Sequence, residues 1–191
     1  ISEQAKASLH RLDDAQALFN AVRWRGAMYM AGYAVECLLK TKLMQVYRCR
    51  HLRELEEELQ RRGVLPAHGT VFTHQLEALL KLTQGRDRLR QDQNLWRMFN
   101  TVNRWVPAWR YTANPANRED AADFMNAVEK LINTAIEYSV TYGFQVIGAL
   151  IILAIGTAVA NWVSGILQRV LEKKKLDVTL AGFFITCTKI L

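Results

Sequence analysis

From residue 138 to residue 168 the chain carries no Asp, Glu, Lys or Arg, and the helix predicted over this stretch is apolar on every face. An α-helix rises about 1.5 Å per residue, so roughly 20 residues cross a hydrocarbon core about 30 Å thick. Residues 144–163 supply that length with only Gln145, Thr157 and Asn161 as polar side chains. The alternative is a long buried helix of a soluble protein. Core helices seldom run this far without a charged face, so the pattern predicts a membrane span, with Tyr138 or Tyr142 and Trp162 near its ends as interfacial anchors.

Upstream the pattern changes to apolar positions three and four apart, the signature of amphipathic helices. A first helix is expected over 3–22, on Ala5, Leu9, Leu12, Ala15 or Gln16, and Phe19. A second, over 24–47, contains GAMYMAGYAVECLLK, too short an apolar run to span a bilayer and suited to the centre of a bundle. A charged helix over 52–62 shows a narrow stripe of Leu52, Leu55 and Leu59, ended by Gly63 and Pro66. Another follows over 74–82, with Thr73 as its expected cap and Glu77 near its positive end. The next begins at Asp87 or Asp92 and carries Leu95, Trp96, Phe99 and Val102 to residue 105. Two of the three prolines make 105–117 irregular. Asn114 or Asn117 then caps a helix whose Phe124, Val128, Leu131, Ile132 and Ala135 share a face. With no proline after Pro115, that helix is expected to continue into the membrane helix, with Gly143 as the likeliest bend.

The expected fold class is therefore all-α, with no strand-period alternation. A bundle of five or so helices over 1–137 precedes a membrane region over 138–191. That region divides into a first helix (138–172), a basic linker (173–177) and a truncated second membrane helix (178–191), whose 14 residues fall short of a span.

Charge follows the same division. Residues 1–137 hold 20 Lys and Arg against 16 Asp and Glu, and the remainder 5 against 2, within a net charge of +7. The excess is scattered rather than gathered into one nucleic-acid patch. Beside the membrane helix, Arg169, Lys173, Lys174 and Lys175 set orientation. Cys37, Cys49 and Cys187 form no CxxC pair and no metal-ligand spacing with the four histidines, so neither a metal nor a disulfide framework is expected. No cofactor motif is present. Cys37, in an apolar helical run, reads as a small core residue. The N-terminus lacks a signal-peptide pattern. The absence of Met at position 1 and the abrupt end at Leu191 lead us to expect a piece of a longer reading frame.

Glu36 is the odd residue of the second helix, a carboxylate among Tyr33, Val35, Leu38 and Leu39 that is costly to bury alone. Lys40 stands one turn on, in the order helices favour, and Arg104 or Arg110 could reach it from the irregular segment. A buried ion pair that fixes packing and a catalytic role are both open. In the membrane helix, Gly156, Ala160 and Ser164 lie four residues apart, a ridge of small side chains that lets another helix approach, flanked by Asn161 as a donor.

The closing stretch GILQRVLEKKKLDVTLAGFF, with its Lys/Arg cluster, Asp177, Thr179 and Phe183, resembles the first two transmembrane helices of the small-conductance mechanosensitive channel (MscS) family. This resemblance covers about 138–191. It implies a bacterial inner-membrane protein that oligomerises, and whose pore helix and β-rich domain lie beyond residue 191. The chain itself is therefore expected to insert but not to conduct.

Residues 1–137 are similar to HEPN domains, helical bundles of bacterial toxin-antitoxin and defence systems. RGAMYMAGYAVECLLKTKL, HQLEALLKL and WVPAWRYTANPANREDAADFMNAVEKLI carry this likeness, with Glu36 and Lys40 at the family's E-x3-K spacing. It implies RNA or a nucleotidyltransferase as partner. Ribonuclease members carry R-x4-6-H near the last helix, where this chain has Arg104 and Arg110 but no histidine. The acid/base is missing, and Tyr111 is a poor substitute near neutrality. Arg62 and His68 match by spacing but sit in a loop. Enzyme activity is therefore not expected. Trp96, Trp105 and Trp109 beside Arg97, Arg104 and Arg110 make either an RNA-stacking surface or core. The two resemblances conflict over topology, because the positive-inside rule puts the bundle outside the cytoplasm where HEPN domains work.

Overall fold

The computed structural model describes residues 3–112 and 116–173. Among these there is no strand, and the fold is all-α: α1 (Glu3–Asn20), α2 (Trp24–Val46), α3 (Leu52–Arg61), α4 (Leu76–Leu82), α5 (Arg86–Gln91), α6 (Gln93–Asn103), a 3-10 turn over Pro107–Tyr111, and α7 (Arg118–Lys173). The chain divides into two compact units, Ile1–Ala135 and Ile136–Leu191, and α7 supplies residues to both. The basic residues Lys174 and Lys175 and the expected second membrane helix lie outside the described residues.

The first unit is organised along α2, which packs on α1, α3, α4 and the 3-10 turn. Its N-terminal half, through Ala27, Ala31, Ala34 and Val35, joins a large apolar cluster with Phe99 and Val102 of α6, Trp105, and Phe124, Val128 and Ile132 of α7. Its C-terminal half, through Leu43, Met44 and Tyr47, joins a smaller one with Leu55 and Leu59 of α3, Val71 and Leu79. The expected α3 stripe of Leu52, Leu55 and Leu59 lies in the second cluster, and Phe124, Val128, Leu131 and Ile132 of the expected α7 face lie in the first. The small residues of α2 let its neighbours come close. Trp105 packs against Gly32, where an added Cβ would meet the indole at 2.1 Å, and its Nε1–H donates to the Tyr29 carbonyl at 3.0 Å.

Three helices end in the same way. Behind α1 the Arg23 N–H donates to the Leu18 carbonyl and Val22 N–H to Phe19; behind α2 Cys49 N–H donates to Met44 and Arg48 N–H to Gln45. Behind α3 the pairs are Val64 to Leu59 and Gly63 to Gln60. This double bond places one residue in the left-handed region: Val22 (φ 61°), Arg48 (57°) and Gly63 (68°). Only at Gly63 is that residue a glycine.

Some expected boundaries are corrected. Thr73 does not cap the fourth helix: its hydroxyl accepts from the Gln75 N–H in a local turn, and α4 starts at Leu76 without a side-chain cap. Of the two expected starts of the next helix, Asp92 is the one α6 takes, accepting from the Asn94 and Leu95 N–H groups, both at 3.0 Å, while Arg86–Gln91 forms the separate helix α5. The irregular segment contains the 3-10 turn. Asn117 caps α7 by accepting from Asp120 N–H at 2.6 Å, while Asn114 lies outside the described residues. The chain stays α-helical through Gly143.

Candidate functional site

Where the two apolar clusters of the first unit meet, α2 turns Glu36 and Lys40 inward. Both are buried, at 2% and 6% exposure. Lys40 Nζ donates to Glu36 Oε1 at 2.6 Å, and the other carboxylate oxygen, Oε2, lies 2.9 Å from Nδ1 of His74. A buried carboxylate has to be paired and hydrogen-bonded, and here each oxygen has its own partner. His74 stands in the segment just before α4, about half exposed, with its ring edge-on to Trp105. The apolar surroundings are felt by neighbours: burial pushes the Cys37 thiol up, and the Glu36 carboxylate adds to this. Tyr33 is likewise raised, first by burial.

Sequence reasoning missed His74 as the second partner and offered Arg104 or Arg110 instead. The structure places those two elsewhere: the Arg104 guanidinium lies over the Phe124 ring at 5.9 Å and Arg110 over Tyr111 at 4.9 Å. Tyr111 itself is exposed. Arg62 bonds Glu58 at 2.6 Å, and His68 is exposed in the loop beyond. No expected catalytic set is therefore brought together at Glu36. The available signal for His74 was its place directly before the amphipathic α4, where a side chain can turn back onto α2.

The tryptophans are mostly structural. Trp105 is buried. Trp96 stacks on Phe99 at 5.7 Å with Arg90 over its ring at 5.3 Å, and Trp109 sits against Phe124 with Arg25 over it at 4.9 Å. Faces occupied in this way are not open to a base.

In the second unit, Phe144–Ile166 is a 23-residue apolar helix with none of its most apolar window buried. Ile152, Leu153 and Trp162 are 73%, 64% and 69% exposed. The described residues of this chain do not bury this stretch as a core helix would be buried. Exposed hydrocarbon on this scale is tolerated where lipid or another protein covers it. The Thr157 hydroxyl donates to the Ala154 carbonyl at 2.9 Å and so costs little in lipid. On the small-residue ridge Gly156 is open, with nothing within reach of an added Cβ, Ala160 is partly covered, and Ser164 is buried. Asn161 and Arg169 are exposed.

Residues 131–179 match a family model described as mechanosensitive ion channel, conserved TM helix. No curated protein and no solved structure matches the chain. The matched stretch is similar to the membrane helix of that channel family and contains the whole exposed apolar helix. The family-model match and the exposed apolar surface therefore both point to a helix that sits in a membrane.

Proposed function

We propose that this chain is the membrane-embedded part of a small-conductance mechanosensitive-type channel that carries an N-terminal HEPN-like helical domain over 1–137. One observation carries the reading: the apolar helix Phe144–Ile166, which lies inside the stretch that matches the channel family, leaves its most apolar window exposed. In this reading the apolar part of α7 is the first membrane helix, and Gly156, Ala160, Asn161 and Ser164 face another helix of a homo-oligomer. Arg169 and Lys173, Lys174 and Lys175 anchor the basic side of the bacterial inner membrane. The exposed apolar helix Phe144–Ile166 inserts in the bilayer as the first membrane helix. The 191-residue chain by itself should give no tension-dependent current in liposome patches, and such currents would overturn the expectation that it does not conduct alone while leaving the channel reading in place. Gly156→Leu should weaken crosslinked oligomers in membranes, because a bulky side chain blocks close helix approach.

A second reading is a HEPN-type domain, tethered to the membrane, that binds RNA or a nucleotidyltransferase. Burial of Glu36 and Lys40 as a pair at the E-x3-K spacing favours it. Metal-independent RNA cleavage lost in Glu36→Ala or Arg110→Ala without unfolding would support an enzymatic form of this reading.

A further inference from the structure

Residues 62–75 join α3 to α4, and of these only Leu65 and Val71 are buried. Between Pro66 and His74 the single backbone–backbone hydrogen bond is a local one, from the Gly69 N–H to the Pro66 carbonyl at 2.8 Å. Side chains of neighbouring helices hold the segment down instead. One oxygen of Glu56, on α3, accepts from the Thr70 hydroxyl at 2.6 Å and from the Val71 N–H at 2.9 Å. Gln60, one turn further along α3, donates to the Gly69 carbonyl at 3.3 Å, and His74 meets Glu36 at the other end. We propose that 62–75 is a strap that opens as a unit while the rest of the bundle stays folded, with Glu56 as its latch.

A segment opens locally when it buries little apolar surface and its hydrogen bonds are few and close to solvent. The strap gives the second apolar cluster only Leu65 and Val71, whereas Leu43, Met44, Leu55, Leu59 and Leu79 belong to α2, α3 and α4. Those helices are joined without it. Helix α2 packs directly on α3 and α4, and the Tyr47 hydroxyl donates to the Leu82 carbonyl at 3.2 Å, tying the end of α2 to the end of α4. The two bonds to Glu56 are made to a carboxylate, and charge-assisted bonds are the stronger kind. Because the Val71 N–H is satisfied by Glu56, losing the latch would leave a donor unpaired at a buried residue, which favours release of Val71 to water. Opening then uncovers the leucines of α3 that the closed strap covers with its own Leu65 and Val71.

Hydrogen exchange of the full chain in detergent micelles, followed by mass spectrometry, tests this. The readout is the peptide over residues 64–69, in which the Leu65 and Gly69 N–H groups bond to the Leu59 and Pro66 carbonyls and not to Glu56. The reference is α2 over 34–44. In the wild type the strap should exchange faster than this reference. Glu56→Ala should speed 64–69 at least about tenfold, the effect of one lost hydrogen bond to a charged group, and leave 34–44 unchanged. Thr70→Val removes one of the two latch bonds and no charge, so it should act in the same direction with a smaller factor. Glu57→Ala, at an exposed position of the same helix, should have no effect. The proposal is overturned if 64–69 keeps its wild-type rate in Glu56→Ala, if 34–44 speeds up by the same factor, or if Glu57→Ala matches Glu56→Ala.

Discussion

The indole of Trp105 packs so closely on Gly32 that a methyl group there would stand 2.1 Å from the ring. Trp105 cannot back away cheaply, because its Nε1–H is bonded to the Tyr29 carbonyl and its ring stacks on Tyr33 at 6.3 Å. Gly32→Ala should therefore destabilise the first unit by about 1–3 kcal/mol, the usual cost of overpacking, even though alanine is the better helix former. Urea unfolding of the full chain in micelles, followed by tryptophan fluorescence, measures this. An unchanged or higher midpoint would mean that the contact is looser than described.

Glu36, Lys40 and His74 behave differently from an exposed ion pair, since two of the three are buried. Glu36→Ala strands the Lys40 ammonium and should cost about 3–5 kcal/mol, whereas Glu36→Leu combined with Lys40→Met should recover most of that loss. His74→Ala removes a half-exposed partner and should cost nearer about 1 kcal/mol. Equal losses in the single and double variants would contradict the pairing.

The apolar pattern made most of this fold readable. Leu55 and Leu59, or Phe124 and Val128, bury a face whatever surrounds them, so spacing alone places them. The unbroken passage of α7 from the bundle into the apolar helix followed from the lack of any proline beyond Pro115. The site was less readable, because the partner of Glu36 is chosen by how α4 docks on α2, and sequence spacing cannot distinguish His74 from Arg104 or Arg110. Helix starts are set by local bonds. Asp92, one of the two expected starts, captures two N–H groups and opens α6, leaving Arg86–Gln91 as a helix of its own, while Thr73 accepts from the Gln75 N–H in the turn just before α4 begins at Leu76.

Val22 and Arg48 occupy helix-end positions where glycine is favoured. The left-handed conformation costs a side-chain-bearing residue about 1–2 kcal/mol, and glycine returns part of that through its freer unfolded chain. Val22→Gly and Arg48→Gly should each raise stability by about 0.5–1 kcal/mol, and Gly63→Ala should lower it by a similar amount. A thermal melt of the three variants tests the set, and destabilisation by Val22→Gly would refute the strain.

The Cys37 thiol is raised by burial, with Glu36 adding to it. In the unfolded chain a thiol loses its proton near about pH 8.5, so above that value the folded state holds a proton that the unfolded state has lost. Stability then falls as pH rises and is constant below that window with respect to this group. Cys49 contributes with the same sign, again through burial. Between about pH 8.5 and 9.5 the urea midpoint of the wild type should fall more steeply than that of Cys37→Ala. Parallel slopes would show that Cys37 is not the group responsible.

The central claim is that the exposed apolar helix Phe144–Ile166, within the stretch that matches the channel family, spans a bilayer. Alkaline carbonate extraction of membranes from cells expressing the chain tests it most directly, with an Ile151→Arg/Ile155→Arg variant beside the wild type. Each buried arginine costs about 2.5–3.5 kcal/mol on insertion. The wild type should stay in the membrane pellet and the variant should be largely released, whereas release of the wild type would contradict the account.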